Sequence, residues 1–255
     1  MLIRRSWNML VLSIASVVSV MVLNEPAQAA LVAYEGFRPS FPVYASGGTG
    51  FASPWIGAGY TTRLKSLCVT KLKASEGGSV AGEPGGGIQR ALLQPLGANG
   101  TRYISFLVQP VSFDETFSFF GLALFGTAGS LFVGKPGAQA VDQYVVEDFG
   151  GTNQVNSGTP VVAGRTALLV IKLQFNTPPS DDVVTLYVNP APGRPEPASN
   201  IVKQIPDLGT VPSLTFFSSG ATSIIDEIRI GTTYADVVPS GDNQPDADFL
   251  GCLGN

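Results

Sequence analysis

An antiparallel all-β fold follows from three features of the 255-residue sequence. Glycine and proline are abundant, at 30 and 19 residues, and no long run of Ala, Glu, Lys or Leu offers a helix. Apolar stretches of strand length recur between Gly, Pro, Asn and Ser punctuation. In the clearest of these stretches, apolar and polar residues alternate with period two, as in a strand with one buried face.

Taken in chain order, the elements begin with an export signal. Residues 1–29 run from a basic start (Arg4, Arg5) through an apolar stretch at 9–23 to Ala27-Gln28-Ala29. That order and the small residues at Ala27 and Ala29 predict a signal peptide cleaved after Ala29. An apolar stretch ended by Pro26 falls short of the roughly twenty residues of a membrane span. The expected address is extracellular, cell-surface or periplasmic, and no transmembrane segment is expected in the mature chain.

Residues 30–238 are expected to form one domain. Segments 47–59 and 77–87 are rich in Gly, Ser and Ala and predict long loops at an edge of the sandwich. Gly85-Gly86-Gly87 lacks the Lys-Ser/Thr of a phosphate-binding loop. Strands are expected at 103–108, 117–125, 130–133, 167–175, 183–188, 214–217 and 224–230. Within 167–175, Leu169, Ile171, Leu173 and Phe175 share one face while Lys172 and Gln174 take the other. Val184, Leu186 and Val188 repeat the pattern opposite Thr185 and Tyr187, and turn segment 176–182 makes the pair a hairpin. Segment 190–197 is a stiff, proline-rich connection. Residues 239–255 form a short acidic tail. Its Asp242, Asp246 and Asp248 have the look of a calcium loop, but Ala247 stands where that loop needs Gly and Leu253 where it needs Glu.

With 44% hydrophobic residues the chain can build a large core. A formal charge of −4 without any Lys/Arg cluster excludes a nucleic-acid partner held by phosphate contacts. The sequence contains no His, which removes the usual Ser-His-Asp and Cys-His centres and histidine zinc sites. Glycoside hydrolysis needs only two carboxylates aimed into one cleft. In 224–230 the candidates Asp226 and Glu227 are adjacent and so point to opposite faces, and no second Glu follows at strand spacing. Glu227 and Arg229, two apart, read as a solvated or cross-sheet ion pair, and Asp226 shares a face with Ile224 and Ile228. No catalytic residue is assigned. Asp114-Glu115, Glu147-Asp148 and Asp181-Asp182 are expected at strand ends or turns and read as turn formers rather than ligands, although such loops could hold a structural calcium.

Cys68 and Cys252 enter an oxidising compartment. Pairing and two separate thiols remain equally open from sequence. Exposed aromatic rings stack on the apolar C–H faces of sugars, and the candidate platforms are Trp55 foremost, then Tyr60, Tyr144 and Tyr187, with Tyr34 beside them.

Several segments resemble concanavalin A-like lectin/glucanase (LamG-like) domains of exported bacterial proteins. They are 31–37 (LVAYEGF), 103–108 (YISFLV), 120–125 (FGLALF), 132–137 (FVGKPG), 186–190 (LYVNP) and 226–234 (DEIRIGTTY). The resemblance implies a jelly-roll sandwich of two curved antiparallel sheets that binds carbohydrate or protein at its concave face or loop rim. Many relatives end in a Pro-Glu-Pro sorting tail, which the acidic tail here does not match. The expected function is non-catalytic binding of extracellular or cell-wall glycan, or surface adhesion through a surface protein. A divergent glycoside hydrolase or polysaccharide lyase is the first alternative, and a structural envelope or matrix protein the second.

Overall fold

The structure, a computed structural model, describes residues 31–241 apart from 39–41, 46, 74–76, 98, 115, 138–141, 177–179 and 199–200. The expected export signal, Cys252 and the calcium-like part of the tail lie outside the described residues.

Among the described residues the chain forms β1 (Leu31–Glu35), β2 (Ile56–Arg63), β3 (Ser79–Leu96), β4 (Gly100–Phe113), β5 (Phe119–Phe125), β6 (Ser130–Lys135) and β7 (Gln143–Asp148). It continues with β8 (Thr152–Pro160), β9 (Ala167–Phe175), β10 (Asp182–Val188), β11 (Ile201–Ile205), β12 (Val211–Ser219), β13 (Ala221–Gly231) and a single helical turn, α1 (Tyr234–Val237). The strands hydrogen-bond in the order β11-β10-β9-β4-β13-β3-β12-β5-β6-β7-β8, with β1 on β13 and β2 on β3. All pairings are antiparallel. β10 and β11 return against β7 and β8, so the sheet is curved nearly closed into a jelly-roll sandwich of two layers.

Between the layers lies the main core, which includes Phe106, Leu122, Leu169, Leu186, Phe216 and Ile230. A second core covers the opposite face of β4, β9, β10 and β13. There Leu107, Leu168, Val170 and Tyr187 pack under Leu67, Tyr234, Val237 and Val238. This explains a departure from the expected half-buried strand at β9. Leu169, Ile171, Leu173 and Phe175 face the main core as their alternation predicts, but Leu168 and Val170 are buried on the other side.

The largest correction falls on the glycine-rich segments: 56–59 belong to β2 and 79–87 to β3, while 47–55 lies outside the named strands. β3 pairs with β13 through 80–82 and with β12 through 86–91, so it turns from one layer into the other across Glu83-Pro84-Gly85. β2 follows the bend, slipping register between Ala58 and Tyr60. At this corner the two backbones touch: a Cβ on Gly59 would lie 2.6 Å from the Gly86 Cα, and one on Gly86 would lie 2.6 Å from the Gly59 carbonyl oxygen. Gly59 also holds φ at +75°, where side chains are strained. Bends of this kind are where strands switch sheets.

Charged side chains pin the flanking segments to this frame. Arg90 of β3 ion-pairs with Glu35 of β1 and donates to the carbonyls of Ser53 (2.7 Å) and Gly47 (2.6 Å), with its guanidinium 4.2 Å from the centre of the Phe51 ring. On β13, Glu227 and Arg229 do pair, at 2.6 Å, but both are buried rather than solvated. Tyr34 adds a bond to Glu227 at 2.9 Å. Glu227 sits at φ +51° in a bulge, which breaks the expected alignment of Asp226 with Ile228. Asp226 is buried and accepts from Ser66 Oγ, Leu67 N–H (2.8 Å) and Glu227 N–H (2.8 Å). Burial, with the neighbouring Glu227 charge adding to it, raises its pKa well above the ordinary value.

Cys68 is disulfide-bonded. We propose Cys252 as its partner, which a single Cys68–Cys252 peptide released by non-reducing digestion would establish.

The corner makes a sharp stability prediction. Gly59→Ala should lower the free energy of unfolding by about 1–3 kcal/mol or more. Gly77→Ala, whose added methyl meets nothing within 4 Å, should change it by less than about 0.5 kcal/mol. Urea denaturation of the two variants decides, and equal effects would remove the backbone contact as the cause.

Candidate functional site

Strand alternation divides the layer β3-β12-β5-β6-β7 into two faces. Ile88, Leu214, Phe216, Phe120, Leu122, Leu124, Leu131, Val133, Tyr144 and Val146 turn into the main core. The residues between them therefore form the outer face. Register sets them in rows. Gln89, Thr215, Ala123, Phe132 and Glu147 are successive cross-strand neighbours, as are Gly87, Phe217, Gly121, Gly134 and Val145.

The second row holds three glycines, and aromatic rings cluster over them, Phe217 of the row itself among them. Phe217 sits 6.3 Å from Phe119, 6.4 Å from Phe125 and 5.7 Å from Phe149, while Phe149 stands edge-on to Phe125 at 4.7 Å. Phe149, from the turn after β7, is 38% exposed and gives the cluster an open ring. A Cβ added at Gly121 or Gly134 would meet a neighbouring carbonyl oxygen at 2.3 or 2.2 Å, so neither position can take a side chain.

Polar groups on the same face lack partners. Glu147 Oε2, Thr215 Oγ1 and Gln154 Oε1 are buried with no hydrogen bond. Burial pushes the Glu147 carboxyl up to about 7, the Asp148 charge adds to this, and Lys203 opposes it. Lys203 itself bonds Asp148 at 2.7 Å. A protonated carboxyl at neutral pH can both donate and accept, which suits sugar hydroxyls. Glu147, expected at a strand end or turn, lies at the end of β7, in the outer row beside Phe132. Asp114, by contrast, caps its turn as expected, accepting from Thr116 N–H at 2.7 Å.

The sequence-based aromatic candidates lie elsewhere. Trp55 is 1% exposed, with Phe37, Phe51 and Phe216 packed around it at 5.9–6.1 Å. Tyr60 is buried in the main core beneath Gly82. Tyr187 is buried in the second core and donates to Glu196. Tyr103 and Lys172 also bond Glu196, at 2.8 and 2.9 Å. Burial pushes Glu196 up, but the bonds from Tyr187, Lys172 and Tyr103 outweigh it and hold the carboxyl below its ordinary value. Tyr34 lies under the Arg229 guanidinium at 4.7 Å. Tyr144 is buried too, although it borders a cavity described below. A stacking platform needs an uncovered ring face, and the packing around Trp55, Tyr60 and Tyr187 removes it. The aromatic rings that reach the outer face are instead Phe149, Phe217, Phe119 and Phe125, which the sequence concealed because β5 is apolar on both faces.

Among the described residues, Glu147 is the sole acidic side chain on the outer positions of β12, β5, β6, β7 and β8. No group of three or more His, Cys, Asp or Glu side chains suited to a metal ion occurs among them either.

Several solved structures share this β-sandwich architecture, glycoside hydrolases among them. The endo-1,3-β-glucanase of Streptomyces sioyaensis superposes with a TM-score of 0.50 at 10% identity, covering 81% of this chain and 97% of its own. Domain 4 of AbnA, a GH43 extracellular arabinanase from Geobacillus stearothermophilus in complex with arabinotriose, gives 0.49 at 16% identity, over 82% and 97%. A GH16 family protein of Mycobacterium smegmatis gives 0.45 at 11%, over 79% and 100%. The glucanase likeness establishes a shared fold. No family model matches the chain, and no curated protein does.

Glu147 supplies a prediction with a defined sign. Unfolded, it loses its proton near 4.5; folded, it keeps it to about 7. The folded state therefore binds more protons between those values, so stability falls as pH rises through the window and levels off above it. Glu147→Gln should remove this contribution while leaving that of Asp226. The wild-type-minus-variant difference in urea stability, followed from about pH 4 to about pH 8, should slope downward across the window; a flat difference would mean that Glu147 is already ionised.

Proposed function

We propose that this chain is an exported glycan-binding sandwich whose outer face on β12, β5, β6 and β7 holds the sugar. The carrying observation is the pairing of unsatisfied buried oxygens, on Glu147 and Thr215, with the exposed ring of Phe149. A buried polar group without a partner costs about 1–3 kcal/mol. A hydroxylated ligand recovers that cost by bonding to it, and its apolar C–H face covers Phe149. Support for the class of ligand comes from the fold shared with a glucanase, and the finer LamG-like reading rests on the segments quoted above. The same reading includes a signal peptide at 1–29, a domain at 30–238 and an acidic tail at 239–255. No helix among the described residues is long and apolar enough to cross a membrane.

A second reading is favoured by one observation. A lone carboxylic acid titrating near 7 has the protonation expected of a general acid. A divergent hydrolase or lyase would need its second group from outside this face.

A glycan array with and without calcium, followed by calorimetry on the best neutral oligosaccharide, tests both. Phe149→Ala and Glu147→Gln should each weaken binding about tenfold, which is about 1.4 kcal/mol. Binding untouched by both substitutions would move the site off this face. Release of shortened or unsaturated product, lost in Glu147→Gln, would establish the enzymatic reading instead.

A further inference from the structure

A second site lies at one end of the sandwich, away from the outer face. A cavity of about 100 Å³ opens between the start of β7, the end of β8, the connection at 161–166 and the end of β10. Holding one water takes only about 10–15 Å³ on this measure, so there is room for several waters or one carboxylate- or sulfate-sized group.

Its polar lining consists of Tyr144, Thr159, Arg165, Thr166 and Asn189, and it includes no acidic residue. Hydrogen bonding leaves these groups as donors. Asn189 Oδ1 accepts from Leu168 N–H at 2.9 Å, so its NH₂ remains available. Thr166 Oγ1 accepts from Gln109 Nε2 at 3.1 Å, so its own hydrogen is free. Tyr144 is 2% exposed and lines the cavity. Arg165 makes no ion pair among them. Its charge reaches Tyr144 and opposes the upward pull of burial on that hydroxyl. A guanidinium, an amide NH₂ and hydroxyls around one acid-free cavity, in a chain of net charge −4, are complementary to an anion.

We propose that this cavity binds the oxyanion of an acidic sugar, a carboxylate or sulfate seated against Arg165 and Tyr144. The site deepens the glycan-binding reading, yet it shares no described residue with the outer face and can be tested apart from it.

Amide chemical-shift titration of the ¹⁵N-labelled chain provides the test, with glucuronate, glucose and inorganic sulfate as probes. Glucuronate should shift residues at 159–168 and 189 while glucose leaves them unmoved. Arg165→Gln should weaken the glucuronate effect about tenfold or more, the scale of one hydrogen bond to a charged group. Tyr144→Phe, which keeps the buried ring, should weaken it less. Competition by sulfate supports the oxyanion chemistry. Shifts with sulfate but none with glucuronate would overturn the acidic-sugar assignment and leave a free-anion site. Equal shifts from glucose and glucuronate, no shift at all, or glucuronate shifts unchanged in Arg165→Gln would overturn the proposal. Neutral oligosaccharides that shift residues around Glu147 and Phe149 report on the outer face alone, so either site can fail without the other.

Discussion

The sandwich depends on the contact between two backbones at Gly59 and Gly86. β3 is the strand that both layers share: its first part pairs with β13 and its second with β12. If it could not bend between them, β12, β5, β6, β7 and β8 would have no frame to extend from. β2 must bend beside it, and at 2.6 Å there is no space for a side chain on either strand. Glycine's entropic cost in strands, roughly 0.5–1 kcal/mol against alanine, is here offset by access to a corner no other residue fits.

Away from the corner, the connections are fastened by buried and half-buried polar clusters. Glu35–Arg90 holds β1 and the segment before β2. Asp226 holds Ser66 and Leu67, and Glu196 holds the proline-rich connection against Tyr103, Lys172 and Tyr187. Buried pairs contribute little over an apolar packing of equal volume, but losing one partner costs about 3–5 kcal/mol because the other is stranded. Their effect is therefore to specify where long loops dock. Glu147 departs from this pattern: its Oε2 has no donor, and burial keeps its proton on instead.

Strands with clear alternation were legible in the sequence. The 167–175 expectation coincides with β9, and the hairpin with β10 forms as its pattern required. The corner was not legible, because glycine enrichment is equally a property of loops and of strands in backbone contact. Nor was the bulge at Glu227, since a positive φ shifts the face of every following residue without a trace in the apolar pattern. For the site, aromatic type alone pointed to Trp55 and to tyrosines. Large rings fill cores as readily as they line surfaces, and Phe216 and Phe217, adjacent in sequence, differ only in which face they take. Glu147 was readable as a carboxylate beside another; its isolation depends on neighbours far away in the chain.

β7 shows how one strand serves both proposed sites. Tyr144 and Glu147 are three residues apart, which in a regular strand places them on opposite faces. Tyr144 turns inward to the end cavity, and Glu147 outward to the aromatic face. Register slips on both sides of Val145–Val146 adjust where each side chain emerges without breaking the ladder. The two surfaces also differ in charge. Around Glu147 a neutral carboxyl and a hydroxyl suit uncharged sugar hydroxyls, and an anion there would force the carboxyl to stay protonated to higher pH. At the end cavity Arg165 favours the opposite. A polymer carrying both neutral and acidic sugars could meet both chemistries on one domain.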